Sequence, residues 1–119
     1  MDFQTAVRTV LSKYVDFKGR APRSEYWWWV LAVIVVNIIL NIIDNIIFGP
    51  TMQPISALFS LAILLPSIAV GIRRLHDLDR TGWWLLVSFI PIIGALILIY
   101  FFVQKGTDGE NRFGPDPLA

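Results

Sequence analysis

Apolar side chains recur through residues 2–18 at helical spacing: Phe3, Ala6, Val7, Val10, Leu11, Tyr14 and Phe17, with Gln4, Thr5, Arg8, Ser12, Lys13 and Asp16 on the other side. The pattern predicts an amphipathic helix, N-capped by Asp2 and stopped at Gly19. Such a helix lies flat at a membrane interface or packs on the cytoplasmic end of its own protein, and the pattern leaves both open.

Beyond Ala21-Pro22 the periodicity gives way to long apolar runs, predicted as spans over 26–48, 55–72 and 83–103. Trp27 to Phe48 is roughly 33 Å of helix at ~1.5 Å per residue, a match to a ~30 Å hydrocarbon core. Gly49-Pro50-Thr51-Met52-Gln53-Pro54 is an uncharged turn. In the second span, Pro66 frees the carbonyl of Ala62 from its helical partner, and Ser56, Ser60, Ser67 and Gly71 form a small-residue stripe suited to close packing. The third run holds Pro91 and Gly94 near its middle. Two crossings need ~40 residues, so one crossing is expected, with a re-entrant bend at Pro91–Gly94 the alternative where protein buries it. Residues 73–82 read as a polar loop, and 104–119 as a turn-rich polar tail. The expected fold is an all-α membrane protein: one domain, 1–119, with three transmembrane helices in a bundle preceded by an amphipathic interfacial helix.

Composition agrees. The chain is 55% hydrophobic over 119 residues, with a mean hydropathy of +0.62. Among its ten basic and nine acidic residues, Asp44 alone falls inside a long apolar run, as a bilayer imposes when a central charge costs at least ~2.5–3.5 kcal/mol. A net charge of +1 offers no field for nucleic acid, and the absence of cysteine excludes disulfides and thiol catalysis. The run from Trp27 is too long for a signal h-region, so no cleavable signal is expected. Arg8, Lys13, Lys18, Arg20 and Arg23 precede the first span, Arg73, Arg74 and Arg80 lie in the 73–82 loop, and the first loop has no basic residue. The positive-inside rule then puts the N-terminus and 73–82 in the cytoplasm and, after three crossings, the tail outside. Trp27, Trp28, Trp29, Trp83 and Trp84 read as interface anchors on that cytoplasmic face.

The densest polar chemistry is Arg73-Arg74-Leu75-His76-Asp77-Leu78-Asp79-Arg80. His76 with Asp77 and Asp79 offers metal-ligand chemistry, but a catalytic metal needs about three protein ligands and the chain has one histidine, so no metal site is expected. Spacing suggests a ladder in which Arg73, Arg74 and Arg80 reach Asp77, with surplus cations meeting lipid phosphate. Arg73, Arg74, His76, Arg80, Arg20 and Arg23 are therefore candidates for an anion or lipid-headgroup site. Asn37, Asn41, Asp44 and Asn45 form an intramembrane polar stripe, read as a helix–helix seam or as an ion or proton pathway, with Asn37 expected to bond to the serines of the next span. No nucleophile motif or phosphate-binding glycine loop is present, so neither catalytic residues nor cofactors are assigned.

Four ordered motifs carry a family resemblance: Phe17-x-Gly19-Arg20-x-x-Arg23-x-Glu25-Tyr26-Trp27; Arg73-Arg74-Leu75-His76-Asp77; Arg80-x-Gly82-Trp83-Trp84; and Gly106-Thr107-x-Gly109-x-Asn111-Arg112-Phe113-Gly114-x-Asp116-Pro117. Together they resemble the bacterial inner-membrane family called domain of unknown function 805, with Phe113 standing where a tyrosine is more usual. The resemblance implies a small bacterial inner-membrane protein and brings no substrate, reaction or cofactor. Two functions are weighed: a non-catalytic module binding anionic membrane lipids or a membrane-protein partner, and a subunit of an oligomeric small transporter or channel using the stripe. A homo-oligomer fits either, and nucleic acid fits neither.

Overall fold

A computed structural model describes residues 1–118. All of its regular elements are helical: α1 (Phe3–Ser12), α2 (Arg23–Phe48), α3 (Pro54–Asp77), a 3-10 helix (Gly82–Phe89) and α4 (Ile93–Val103).

The amphipathic pattern of α1 buries its apolar stripe on protein. Asp2 caps the helix, accepting from the Thr5 N–H at 2.8 Å. Ala6 and Val10 are fully buried, Val10 in a cluster with Ala21, Trp29 and Val70. Helix α1 thus packs on the bundle through Ala6 and Val10, while Phe3 and Leu11 of the same helix stay exposed. The Tyr14 hydroxyl, just past α1, donates to the carbonyl of Ala62. That is the carbonyl Pro66 releases by lacking an N–H.

Helices α2 and α3 form an antiparallel hairpin of 26 and 24 residues, each long and apolar enough to cross a membrane. Gly49, at φ 81°, ends α2. Pro54 occupies the first turn of α3, where its missing N–H costs nothing, but Gln53 at the N-cap supplies no side-chain bond. Asp44 supplies it from α2: the carboxylate accepts Ile55 N–H at 3.1 Å, Ser56 N–H at 2.9 Å and the Ser56 hydroxyl at 2.8 Å.

Helix α3 does not stop where charge begins. Residues Arg73–Asp77, expected in a loop over 73–82, remain helical because the stretch holds no proline or glycine. The end comes in a Schellman motif: Asp79 sits at φ 59°, its N–H bonds His76 O at 2.9 Å, and Arg80 N–H bonds Leu75 O at 2.9 Å.

The expected third span over 83–103 is not one continuous helix. Its first part winds as a 3-10 helix to Phe89. Pro91 then disfavours helical geometry at Ile90. Ile92 takes φ 65° and ψ −61°, and Ile93 N–H bonds Pro91 O at 2.7 Å, a γ-turn that reverses the chain. Gly94 lets the arms meet: a Cβ there would collide with the Val87 carbonyl. The returning α4 has 11 residues, about 16 Å and half a hydrocarbon core. The bend at Pro91–Gly94 is thus what the structure contains. It brings the tail back to the α3 C-terminus, where Thr107 N–H bonds Asp77 O at 2.7 Å. A tail on the opposite face from 73–82 does not fit this geometry.

Candidate functional site

The four polar motifs converge at the end of the bundle where α3 finishes. The 19–22 loop brings Arg20, the first turn of α2 brings Glu25, the last turns of α3 bring Arg73, Arg74, His76 and Asp77, and the tail brings a set of carbonyls. Asp77 is the hub. Its Oδ1 accepts from Nε of Arg20 at 2.9 Å and lies 2.9 Å from the Arg20 Nη2. Its Oδ2 accepts from Arg74 Nη1 at 2.7 Å. Arg20 then reaches the tail, donating to Gly109 O at 2.6 Å, Gly114 O at 3.2 Å and Thr107 O at 2.5 Å. Arg74 bonds the carbonyls of Phe102 at 3.3 Å, Ala21 at 3.4 Å and Gln104. Gly106 packs so closely on the Asp77 carboxylate that a Cβ would collide with it.

Arg73 turns elsewhere. It is fully buried, pairs with Glu25, and leaves its Nε and Nη2 without protein partners. Three buried guanidiniums face two buried carboxylates. Burial on this scale persists because the excess positive charge is solvated by backbone carbonyls in place of water.

His76 is covered by the tail as well. Nδ1 lies 2.9 Å from Gly19 O; a carbonyl only accepts, so Nδ1 carries the proton. Phe113 stacks on the ring at 4.0 Å and 2°, and Asn111 donates to His76 O at 2.9 Å. Arg112 closes the outside of the loop, bonding Asp79 Oδ1 at 3.2 Å and Asp79 O at 2.7 Å. At the tail's far side, Asp116 accepts from the N–H groups of Leu118 at 2.9 Å and Gly109 at 3.0 Å. Those bonds, Leu118 first, hold its carboxyl below the usual value.

The six sequence candidates therefore divide. Arg20, Arg73, Arg74 and His76 are buried in the cluster; Arg23 is exposed and Arg80 half-buried. The expected ladder holds for Arg74 alone: Arg73 takes Glu25, and Arg80 lies over the rings of Trp84 at 5.3 Å and Phe101 at 4.2 Å. Sequence reasoning missed Glu25 as the partner of Arg73 and the tail as a source of carbonyl acceptors. The signal was available in the motifs, which place Arg20, Arg73 and Arg74 against Glu25 and Asp77 and put Gly109 and Gly114 in the tail.

The tryptophans divide too. Trp29 is core, 5% exposed, and donates to Ser67 at 3.1 Å. Trp27 donates to Phe102 O at 3.0 Å, while Trp28, Trp83 and Trp84 stay exposed. In the polar stripe, Asp44 is buried as the cap of α3, Asn41 donates to Asn37 O at 2.7 Å, and Asn45 is exposed. Among the described residues no hydrogen bond joins Asn37 to Ser56, Ser60 or Ser67; the serine stripe is bonded by Asp44 and Trp29 instead. The same residues hold no group of three metal-ligating side chains.

A family model described as "Protein of unknown function (DUF805)" matches residues 14–115. The chain belongs to the DUF805 family. Among DUF805-like relatives, inner membrane protein YhaI of Escherichia coli K12 is 49% identical over 109 residues, covering 92% of each chain. Inner membrane protein YhaH of the same strain is 45% identical over 111 residues, covering 91% of this chain and 92% of the relative. The uncharacterized protein YiiR of that strain is 28% identical over 135 residues, covering 91% and 90%. No solved structure matches. With two long apolar helices, this DUF805 chain is an integral membrane protein of the bacterial inner membrane. The matched residues include all four motifs up to Gly114, and so nearly the whole cluster around Asp77.

Proposed function

We propose that this protein is a non-catalytic membrane module that binds anionic lipid through the cationic face at the Asp77 end of the bundle. One observation carries the reading: among the described residues, Arg23 and Arg80 have no carboxylate partner, whereas Arg20, Arg73 and Arg74 do. Arg23 donates only to Val103 O, at 3.2 Å. The neighbouring Trp28, Trp83 and Trp84 are exposed, as residues at headgroup depth are. In this reading α2 and α3 cross the bilayer, and the 3-10 helix with α4 forms a re-entrant hairpin. The positive-inside rule then puts the N-terminus, residues 78–81 and the tail all in the cytoplasm. The stripe offers no competing support for transport, since Asp44 and Asn41 already have partners within the protein.

Native mass spectrometry from mild detergent with equimolar phosphatidylglycerol and phosphatidylcholine tests the lipid reading. Each uncompensated cation near an anionic leaflet contributes ~1 kcal/mol. Two of them predict retention favouring phosphatidylglycerol by about thirtyfold, lost in Arg23→Gln with Arg80→Gln. Equal retention of the two lipids by the parent protein defeats the reading. Separately, a reporter fused after Leu118 is expected to read as cytoplasmic, and a periplasmic signal removes the re-entrant topology.

A further inference from the structure

A large cavity lies beside the charged cluster rather than in it. A cleft of about 780 Å³ runs between α3 and the 3-10 helix. Ile68, Ile72, Leu86 and Phe89 line its length, and His76 and Thr81 lie at one end. Gly82 sets the closest approach of the walls, since a Cβ there would fall 2.8 Å from the Ile72 side chain. We infer that this cleft is a phospholipid site in which one acyl chain lies between α3 and the hairpin, its glycerol at the His76–Thr81 end and its phosphate on the Arg80 side.

The polar end fits that occupant. His76 is 9% exposed; Gly19 takes its Nδ1 and Phe113 covers one face, so Nε2 is the ring's uncommitted acceptor. A glycerol hydroxyl can donate to it, and the Thr81 hydroxyl can donate to an ester carbonyl. Arg80, next to Thr81 in the chain, does not itself line the cleft; its guanidinium lies over Trp84 and Phe101 and, among the described residues, has no carboxylate partner, so the phosphate it complements lies outside the cleft, beyond Thr81. The cleft's size argues against a partner helix. One turn of helix ~10 Å across and ~5.4 Å tall displaces roughly 420 Å³. The cleft therefore seats less than about two turns, where a spanning partner needs about five or six. A thin chain can thread it.

The site rests on the lipid-binding reading but fails separately from it. Ile68→Trp with Ser88→Trp fills the cleft from two exposed positions and leaves Arg23, Arg80 and the Asp77 cluster in place. Native mass spectrometry of the full chain with dioleoyl phosphatidylglycerol is expected to show one tightly held lipid on the parent and at least tenfold less on the filled variant. Retention at the parent's level by the filled variant overturns the cleft while leaving the lipid reading intact. Absence of any preferred lipid on the parent defeats both. A lipid-free dimer that the filled variant dissociates would make a second copy the occupant and also overturns the proposal. Should the filled variant not fold, the parent alone decides: phosphatidylglycerol with a diazirine in its acyl chain should label Ile68, Ile72, Trp83 and Ser88 above the outer face of α2. Uniform labelling along α2 and α3 rejects the site.

Discussion

Asp44 and Asp77 are buried at opposite ends of the α2–α3 hairpin, and they are stabilised by different means. Asp44, fully buried, meets no cation among the described residues; it sits on the N-terminus of α3 and takes two backbone N–H groups and a hydroxyl. Asp77, 3% exposed, sits at the C-terminus of the same helix and is held between Arg20 and Arg74. The helix dipole accounts for the contrast. Its positive end favours an anion without help, and its negative end repels one, so Asp77 requires cations that Asp44 does not. One end of the protein is closed by a single residue, the other by a network drawn from four separate segments.

Removing the hub should produce the largest effect. Asp77→Asn leaves two buried guanidiniums without their carboxylate, a loss of about 3–5 kcal/mol for a broken buried pair. Thermal unfolding in mild detergent is expected to show a strongly lowered midpoint or no folded protein. A near-parental midpoint would mean the tail carbonyls alone neutralise Arg20 and Arg74.

At the other end the same kind of change should matter less. Asp44→Ala removes a cap and is expected to cost about 1–2 kcal/mol, whereas Asp44→Asn, another good capping residue, should cost less than the alanine. If Asp44→Asn proved as damaging as Asp77→Asn, the charge of Asp44 rather than its capping geometry would be decisive, and the contrast would collapse.

The smallest effect belongs to the tail, through Asp116. Its carboxyl is held below the usual aspartate value, first by Leu118 N–H and then by Gly109 N–H. A depressed folded value means these bonds contribute above the unfolded value and are lost as pH falls through the folded one. The protection factor of the Gly109 amide, its exchange rate divided into the intrinsic rate at each pH, should therefore hold from neutral pH down to about 4 and fall below that, while Asp116→Asn flattens the profile. Loss of protection already near pH 6 would point to a different group.

Much of the architecture was legible because it is local. The stripe of Ala6 and Val10 marked α1, the length of the Trp27–Phe48 run marked α2, and Pro66 marked the carbonyl that Tyr14 completes. The third apolar run was ambiguous for a physical reason: 83–103 is long enough to cross, and Pro91 with Gly94 permits but does not compel reversal. What distinguishes the outcomes is where Thr107, Gly109 and Gly114 end up, and that depends on Arg20, some ninety residues away. Pairing within the cluster was hidden likewise. Asp77 lies four residues from Arg73 and invites a local bond, but the helix aims Arg73 at Glu25, forty-eight residues away. Neighbours in sequence suggested the right residues and the wrong partners.

The clasp of Arg20 on Thr107, Gly109 and Gly114 also constrains how the protein is made. Synthesis proceeds from the N-terminus at about 5–20 residues per second. Arg20 thus emerges several seconds before the carbonyls that will solvate it. During that interval the early helices hold guanidiniums whose final ligands do not yet exist, and only the last stretch of chain completes their shell. A chain ended before residue 107 would leave the Arg20 guanidinium without these carbonyl ligands. The electrostatics around Arg20 thus depend on the translation of residues 107–114.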